Sequence, residues 1–380
     1  MVLFIETHGT ARERGEQQGT QLKDRIQAAK KAVFKSEIFK EMIPKGVPVF
    51  LAIAGLGLMG KNRTKKFIEQ HFPKQNEKLI GIAKGAGVGV NLIYGMNYVE
   101  VMAGNPLTTY REPLVQACTM IMALPPATAD GSIIYGRNYD FPTILQPYQM
   151  VRREIPDDGF KTITLTQYPM VGAHIGLNEK GVLMGYNYGR SWKSNPLDYR
   201  PRGVPNLITL QEALESCKST QEVIDFISKF PARTNGAHFG VVDESGDACV
   251  IETTATRHVV RRPKDGILAH TNMYQELVDA NVPDTSMWKF KGLEIPYTRS
   301  PKERFARANE LLAKAKGKVT LDTFKGILSD HAGREPDDFT ICTHGKTGAT
   351  LASILVKPKE REFWVTDNQP CKTNYEKFTL

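Results

Sequence analysis

Cysteine is scarce, with five in 380 residues, which excludes a disulfide scaffold. Cys118, Cys217, Cys249, Cys342 and Cys371 are spread along the chain, with no two at metal-ligand spacing. Their odd number and an N-terminus, MVLFIETHGTARERGE, with early charges and no cleavage site lead us to expect free thiols in a reducing, cytoplasmic setting. Long hydrophobic runs are missing too. The longest, Val47 to Met59, is interrupted by Pro48, Gly55 and Gly57 and falls short of the ~20 residues of a spanning helix, so no membrane span is expected. No repeat or low-complexity tract is present. A Gly-x-Ser-x-Gly elbow is absent, which argues against a serine α/β-hydrolase. The eight histidines show neither a His-Glu-x-x-His pair nor Cys/His ligand spacing. No metal and no cofactor are therefore expected.

What is present is globular. Hydrophobic residues make up 41% and charged residues 24%, enough to bury a large core, and the length suits two domains or one large one. The net charge of +9 is concentrated in the first third. Residues 1–117 hold 17 Lys and Arg against 10 Asp and Glu, whereas the rest hold 33 against 31. Lys30, Lys31, Lys35, Lys40 and Lys61 to Lys66 lie in helical-looking stretches with few aromatics between them, the pattern of a solvated helix face. No nucleic-acid partner is expected.

Residues 10–40 read as an amphipathic helix after Thr10, with Gly15 and Gly19 small enough for close packing on another helix, and residues 64–86 read as a second long helix. The texture changes at Cys118. Cys118 to Ala123 and Ser132 to Tyr135, with Pro125, Pro126, Asp130 and Gly131 between them, predict a β-hairpin. Further strands are expected at 162–166, 173–176, 182–187, 239–242, 248–252, 350–356 and 362–365, with helices near 207–230 and 301–330. Strand runs alternating with helix pairs imply layered sheets flanked by helices.

Two features invite a chemical reading. Gly55-Leu56-Gly57-Leu58-Met59-Gly60 matches G-x-G-x-x-G, but no clear strand precedes it and no acidic residue follows at the usual distance, so it reads as glycine-tolerant packing. Cys118 is the stronger candidate. It opens a strand whose hairpin partner ends in Gly136-Arg137-Asn138-Tyr139-Asp140-Phe141, so Arg137 and Asp140 come back beside the thiol. A cation lowers a thiol pKa, and a carboxylate holds an amine or the arginine.

Cys118-Thr119 followed by Gly136 to Phe141 resembles the N-terminal-nucleophile (Ntn) hydrolases, in particular the peptidase C45 group of isopenicillin N acyltransferases. More distantly it is similar to acid ceramidase and the choloylglycine hydrolases. Gly81 to Ala86, Gly176 to Val182, Gly185-Tyr186-Asn187-Tyr188, His270-Thr271-Asn272 and Gly348-Ala349-Thr350-Leu351 match further blocks in the same order. The resemblance implies an α+β fold, a four-layer αββα sandwich of two antiparallel sheets flanked by helices. It implies a precursor that cuts itself between Ala117 and Cys118. Residues 1–117, mostly helical, become one fragment and residues 118–380 the catalytic one. The two stay together as a heterodimer and one structural unit; a homo-oligomer is also compatible.

The same resemblance assigns roles. The Cys118 thiol is the nucleophile and its freed α-amine the general base. Asn272, with Asn187 or its neighbours, stabilises the oxyanion. Asp140 orients the amine or Arg137, and Arg137 stabilises the thiolate or binds a substrate carboxylate. The expected reaction passes through a Cys118 thioester on a linear amide, with a small-molecule amide or acyl donor and an amine as partners. The group's arginine before Gly-Ala-Thr is replaced here by Thr347 after Lys346, and the hairpin is longer around Pro125 to Asp130. Both departures favour amide hydrolysis or acyl transfer to or from a small amine over penicillin acyl transfer. His270 and Glu252 read as structural. The alternatives are a binding protein on the same fold, or a Cys118–His270 hydrolase that works without cleavage.

Overall fold

Alternation along the strand that begins at Ala117 sets the layers. Cys118, Met120 and Met122 enter one apolar core, whereas Ile121 and Ala123 enter another on the opposite side, because successive strand residues point to opposite faces. The strand is thus buried on both sides.

The computed structural model describes residues 1–35, 43, 46–103, 117–192, 198–290, 293–345 and 348–380. Lys40, Lys346 and Thr347 lie outside the described residues. The strands are β1 (Phe4–Gly9), β2 (Ala117–Ala123), β3 (Ile134–Phe141), β4 (Gln149–Pro156), β5 (Thr162–Gln167), β6 (Ile175–Asn178), β7 (Leu183–Tyr188), β8 (Ala237–Val242), β9 (Ala248–Thr253), β10 (His258–Arg261), β11 (Ile267–His270), β12 (Met287–Phe290), β13 (Leu293–Pro296), β14 (Ala349–Lys357), β15 (Glu362–Val365) and β16 (Glu376–Thr379). The helices are α1 (Ala11–Gln21), α2 (Lys23–Lys35), α3 (Val49–His71), α4 (Pro73–Ala86), α5 (Val90–Ala103), α6 (Asn206–Ser216), α7 (Thr220–Lys229), α8 (Arg299–Ala315) and α9 (Leu321–Leu328).

An eight-stranded sheet runs β1-β4-β5-β6-β7-β8-β9-β10, and a six-stranded sheet runs β11-β2-β3-β14-β15-β16. Met120, Met122, Tyr135 and Ile354 of the smaller sheet share a core with Val151, Ile163, Leu183 and Val250 of the larger. Outside the larger sheet, Met184, Phe239 and Ile251 pack under Leu210, Leu214, Val223 and Ile227 of α6 and α7. Outside the smaller sheet, Ile121, Ile134 and Leu355 pack under Ala308, Leu312, Phe324 and Leu328 of α8 and α9. This is the αββα order expected. One detail is corrected: β1 pairs with β4 in parallel, so the larger sheet is antiparallel except at that edge.

The N-terminal segment divides more finely than its periodicity suggests. Thr10 and Glu13 form a capping box that starts α1. The helix expected over 64–86 is two helices, broken at Phe72 and restarted by Pro73, which suits a first helical position. The close approach expected of Gly15 and Gly19 is present. A methyl on Gly15 would meet the Lys78 carbonyl at 2.2 Å, and one on Gly85 the Glu16 carbonyl at 2.1 Å. The G-x-G-x-x-G run lies within α3, where Gly57 and Gly60 press against Asn91, Tyr94 and Gly95 of α5. Its packing role follows from that contact.

Five buried charges join the N-terminal segment to the rest. Arg14 meets Glu154 and Glu215 at 3.1 Å each, and Lys78 meets them at 3.0 and 3.3 Å. Arg152 lies 2.9 Å from Glu154.

A second correction concerns residues read as scattered. His331, Cys342, His344 and Cys371 converge, with one ligand-type atom of each within 4.8 Å of the others. Chain distance hid this, because the α9–β14 connection delivers three of them and the β15–β16 connection delivers Cys371.

Candidate active site

The β2–β3 register explains which predicted residues meet. Cys118 lies opposite Tyr139, Met120 opposite Arg137, and Ala117 opposite Asp140. Residues directly across an antiparallel pair share a face. Cys118 and Arg137 therefore both face the space between the sheets, and Arg137 Nη2 lies 3.0 Å from Cys118 Sγ. Asp140 falls on the opposite face. Its carboxylate accepts from the Thr350 hydroxyl at 2.6 Å and the Thr343 hydroxyl at 3.3 Å. The expected trio is thus a thiol–guanidinium contact with the carboxylate one strand position away, behind β2.

Arg137 is held by Asn187 and by the Tyr186 carbonyl. Its Nε donates to Asn187 Oδ1 at 3.1 Å, and its Nη2 also donates to the Tyr186 carbonyl. Among the described residues, its buried Nη1 has no hydrogen-bond partner. Asn187 Nδ2 reaches the carbonyls of Cys118, His270 and Thr271 at 3.4, 3.4 and 3.2 Å. Asn187 therefore spans β7 and β2 and braces the guanidinium against the thiol.

Asn272 contacts Cys118 through its acceptor. The Cys118 backbone N–H donates to Asn272 Oδ1 at 2.7 Å, and Arg304 Nη2 donates to the same oxygen at 3.1 Å. Two donors on one atom fix the amide orientation, and Nδ2 donates instead to the Tyr188 carbonyl at 3.0 Å. The expected oxyanion donor is here the acceptor that grips the Cys118 nitrogen.

Arg304 is the residue sequence reasoning missed. It is fully buried on α8. Its Nη1 donates to the Cys118 carbonyl at 2.6 Å and to Thr119 Oγ1 at 2.9 Å, and its Nε donates to Ser300 Oγ at 3.0 Å. The available signal was an arginine on the buried side of an amphipathic helix, beside Ala308 and Leu312.

Burial governs the electrostatics. It pushes the Cys118 thiol above its ordinary pKa, and Arg137, the Asp140 backbone N–H and Arg304 only partly offset this. The expected lowering by Arg137 is real but outweighed, so the thiol is neutral as folded. Burial also pushes Asp140 up to about 6, against the opposing pull of Arg304, Thr350, Arg137 and Thr343. His270 is pushed well below the usual histidine range by burial, His238 and Arg261. Its Nδ1 lies 2.9 Å from Arg261 Nη2, and its ring packs on His238. No hydrogen bond joins it to Cys118 among the described residues. Glu252 accepts the backbone N–H groups of Gln275, Glu276 and Leu277, which matches its reading as a buried structural carboxylate.

A cleft opens beside this group, reaching Ala117, Asn272 and Arg304. Met273, Val282, Ile295 and Phe339 give it an apolar wall, and Arg190 also lines it.

Two facing sheets between helix layers, with a cysteine at the head of a central strand, form the arrangement of the N-terminal-nucleophile class. The chain belongs to the acyl-coenzyme A:6-aminopenicillanic acid acyl-transferase family, whose pattern its residues 127–372 match. A protein of Archaeoglobus fulgidus described as uncharacterized is 21% identical over 274 residues, 68% of this chain and 44% of its own length. The acyl-coenzyme A:6-aminopenicillanic-acid-acyltransferase 40 kDa form of Emericella nidulans is 27% identical over 168 residues, 43% of this chain and 42% of its own length. The chain thus matches less than half the length of these curated relatives. Among solved structures, the Caenorhabditis elegans ortholog of N-acylethanolamine-hydrolyzing acid amidase superposes with a TM-score of 0.45 at 16% identity, over 64% of this chain and 93% of that one. A conjugated bile acid hydrolase variant from Clostridium perfringens also gives 0.45, at 15% identity over 69% and 97%. No described helix is long and apolar enough to cross a membrane.

Proposed function

We propose that this protein is a self-processing cysteine amidohydrolase or acyltransferase that works through a thioester on Cys118. The observation that carries the reading is the grip on residue 118. Its nitrogen is held by Asn272, its carbonyl by Arg304 and its sulfur by Arg137.

In processing, the Cys118 sulfur attacks the Ala117 carbonyl carbon. The Ala117–Cys118 C–N bond breaks, the nitrogen takes a proton and becomes a free α-amine, and Ala117 remains as a thioester. Water hydrolyses it, returning the thiol and leaving Ala117 as a carboxylate. The new amine has an ordinary pKa of ~7.7–8.0 and stays beside Asn272 Oδ1. It then takes the thiol proton when the sulfur attacks a substrate amide and passes that proton to the leaving amine. Water or a second amine resolves the acyl-thioester.

The substrate carbonyl takes the place that Ala117 occupies, so its acyl group extends into the cleft. The apolar wall favours an aliphatic or aromatic acyl group. Arg137 Nη1 and Asn187 Nδ2 are the donors proposed for the oxyanion, with Asn272 Nδ2 joining if it exchanges Tyr188. Asp140 balances the charge of Arg304, Arg137 and the α-amine. The fragments 1–117 and 118–380 stay joined through the β1–β4 pairing and the Arg14, Lys78, Glu154 and Glu215 cluster. Five free thiols suit a reducing compartment, proposed to be the cytoplasm.

The test is the intact mass of purified protein under denaturing conditions. Fragments of about 13 and 29 kDa, from 117 and 263 residues, are expected in place of 42.4 kDa. Cys118→Ala should remain one species without turnover, and Cys118→Ser should cut slowly. A wild-type chain that stays whole for days, or an active Cys118→Ala chain, sinks the proposal.

A further inference from the structure

On the helix-covered side of the smaller sheet, two loops bring four side chains of metal-ligating type together. His331 follows α9, Cys342 and His344 lie on the approach to β14, and Cys371 lies between β15 and β16. Cys342 Sγ is 3.6 Å from Cys371 Sγ and 3.4 Å from His344 Nε2, and His344 Nε2 is 3.2 Å from Cys371 Sγ. The His331 and His344 ring centroids are 5.1 Å apart, and His331 Nε2 is buried with no hydrogen-bond partner.

These separations decide between chemistries. Zinc binds thiolate sulfur at about 2.3 Å and imidazole nitrogen at about 2.0–2.1 Å in a tetrahedron. The edges of such a tetrahedron are about 3.8 Å between sulfurs and about 3.6 Å between sulfur and nitrogen. The three separations fall within about 0.4 Å of those edges. A disulfide needs its sulfurs about 2.05 Å apart, far closer than they are.

We propose that His331, Cys342, His344 and Cys371 form a Cys2His2 site for one zinc ion. Four protein ligands close the coordination shell, so the ion is structural. Two thiolates cancel its charge, which suits a half-buried position. The site also bears on Asp140. Thr343, between two of the ligands, donates its hydroxyl to Asp140, and its backbone N–H donates to Thr350 Oγ1, whose hydroxyl donates to the same carboxylate. The Cys342 N–H donates to the Asp330 carbonyl at 3.1 Å, and Arg307 clamps the Asp330 carboxylate at 2.8 and 2.9 Å. The ion would pin the loop that holds Asp140, while standing outside the acyl-transfer chemistry.

The experiment uses full-length protein made with zinc in the medium and purified under reducing conditions without chelator, with metal counted by mass spectrometry. One equivalent of zinc per chain is expected. Cys342→Ser and Cys371→Ser should each fall at least five-fold, while Cys217→Ala, remote from the cluster, keeps the ion. Because a serine variant can misfold, wild-type protein is also stripped and reloaded with Co²⁺. Tetrahedral sulfur–nitrogen ligation is expected to give intense visible bands and sulfur-to-cobalt charge transfer, abolished by one equivalent of Zn²⁺. Failure of the reduced wild-type protein to take up either ion stoichiometrically overturns the site. So does an octahedral cobalt spectrum, or a Cys342–Cys371 disulfide in protein alkylated before lysis.

Discussion

Arg304 donates to the backbone carbonyl of Cys118 at 2.6 Å, across 186 positions of chain. The same guanidinium touches Asn272 Oδ1, which holds the Cys118 N–H. Residue 118 is therefore gripped at its nitrogen and its carbonyl by one connected pair from beyond residue 270. Arg137 holds its sulfur independently, from β3. The consequence is a fixed backbone at the Ala117–Cys118 bond, with the sulfur positioned separately.

Arg304→Lys tests that grip. Lysine keeps the charge but lacks the planar fork that reaches the Cys118 carbonyl, Thr119 and Asn272 together. Losing a buried charged hydrogen bond costs about 1.5–3 kcal/mol. Processing and turnover should both slow by ~10–100-fold, read by mass against time and by a chromogenic amide. Wild-type rates would remove Arg304 from the site.

Asn272 gives a charge-specific test. Asn272→Asp puts a carboxylate against the Cys118 nitrogen. A negative neighbour favours the protonated amine, so the α-amine pKa of the processed enzyme rises. The rising limb of the pH–rate profile should move to higher pH. Asn272→Ala removes an acceptor from that amine, so it should lower turnover and move the limb to lower pH. An unmoved limb in Asn272→Asp would mean that the amine does not lie where the N–H does now.

Asp140 sets a stability dependence, best read in a Cys118→Ala background where no α-amine forms. Its folded pKa is raised to about 6, above the ordinary aspartate value. The protonated fold is therefore favoured. Its contribution is full below about pH 4 and is lost as pH rises through about 6. The difference between those two pH values is worth about 3 kcal/mol. Relative to Cys118→Ala/Asp140→Asn, the parent should lose stability between pH 4 and 7 in urea titrations. A constant gap across that range would contradict the raised value.

Lys78→Met tests what holds the N-terminal segment. Lys78 is buried between Glu154 and Glu215. Removing one partner of a buried ion cluster typically costs about 3–5 kcal/mol, because the opposing charges remain uncompensated. The variant should melt well below the parent. After processing, it should release the shorter fragment on gel filtration in moderate urea, where the parent stays whole. Equal melting temperatures would show that β1 and the helix packing suffice.

Much of the frame was legible in the chain. The Cys118 hairpin, the strands at 162–167, 183–188, 237–242 and 349–357, and the paired helices at 206–229 and 299–328 all stand near their expected bounds, because apolar runs between turn residues mark them locally. β4 was not legible. Its MVRRE centre looks solvated, yet Arg152 and Glu154 are buried, since their charges are cancelled by Arg14, Lys78 and Glu215 from other elements. β1 was hidden for a related reason: charge and length resembled an exposed terminus, and only its pairing with β4 makes it a strand.

At the site, the division runs along the chain. The sequence by itself determined the nucleophile candidate, the arginine on its hairpin and the αββα order. Each depends on periodicity and neighbours within a few dozen residues. The two-residue period of a strand turns Arg137 and Asp140 to opposite sides, and only the β2–β3 pairing register decided that Arg137 is the one on the thiol's side. The fold alone brought Arg304 to the Cys118 carbonyl and turned the Asn272 acceptor to its nitrogen. It also gathered His331, Cys342, His344 and Cys371 from two loops. Contacts between distant segments depend on how whole layers stack, and no local pattern encodes that.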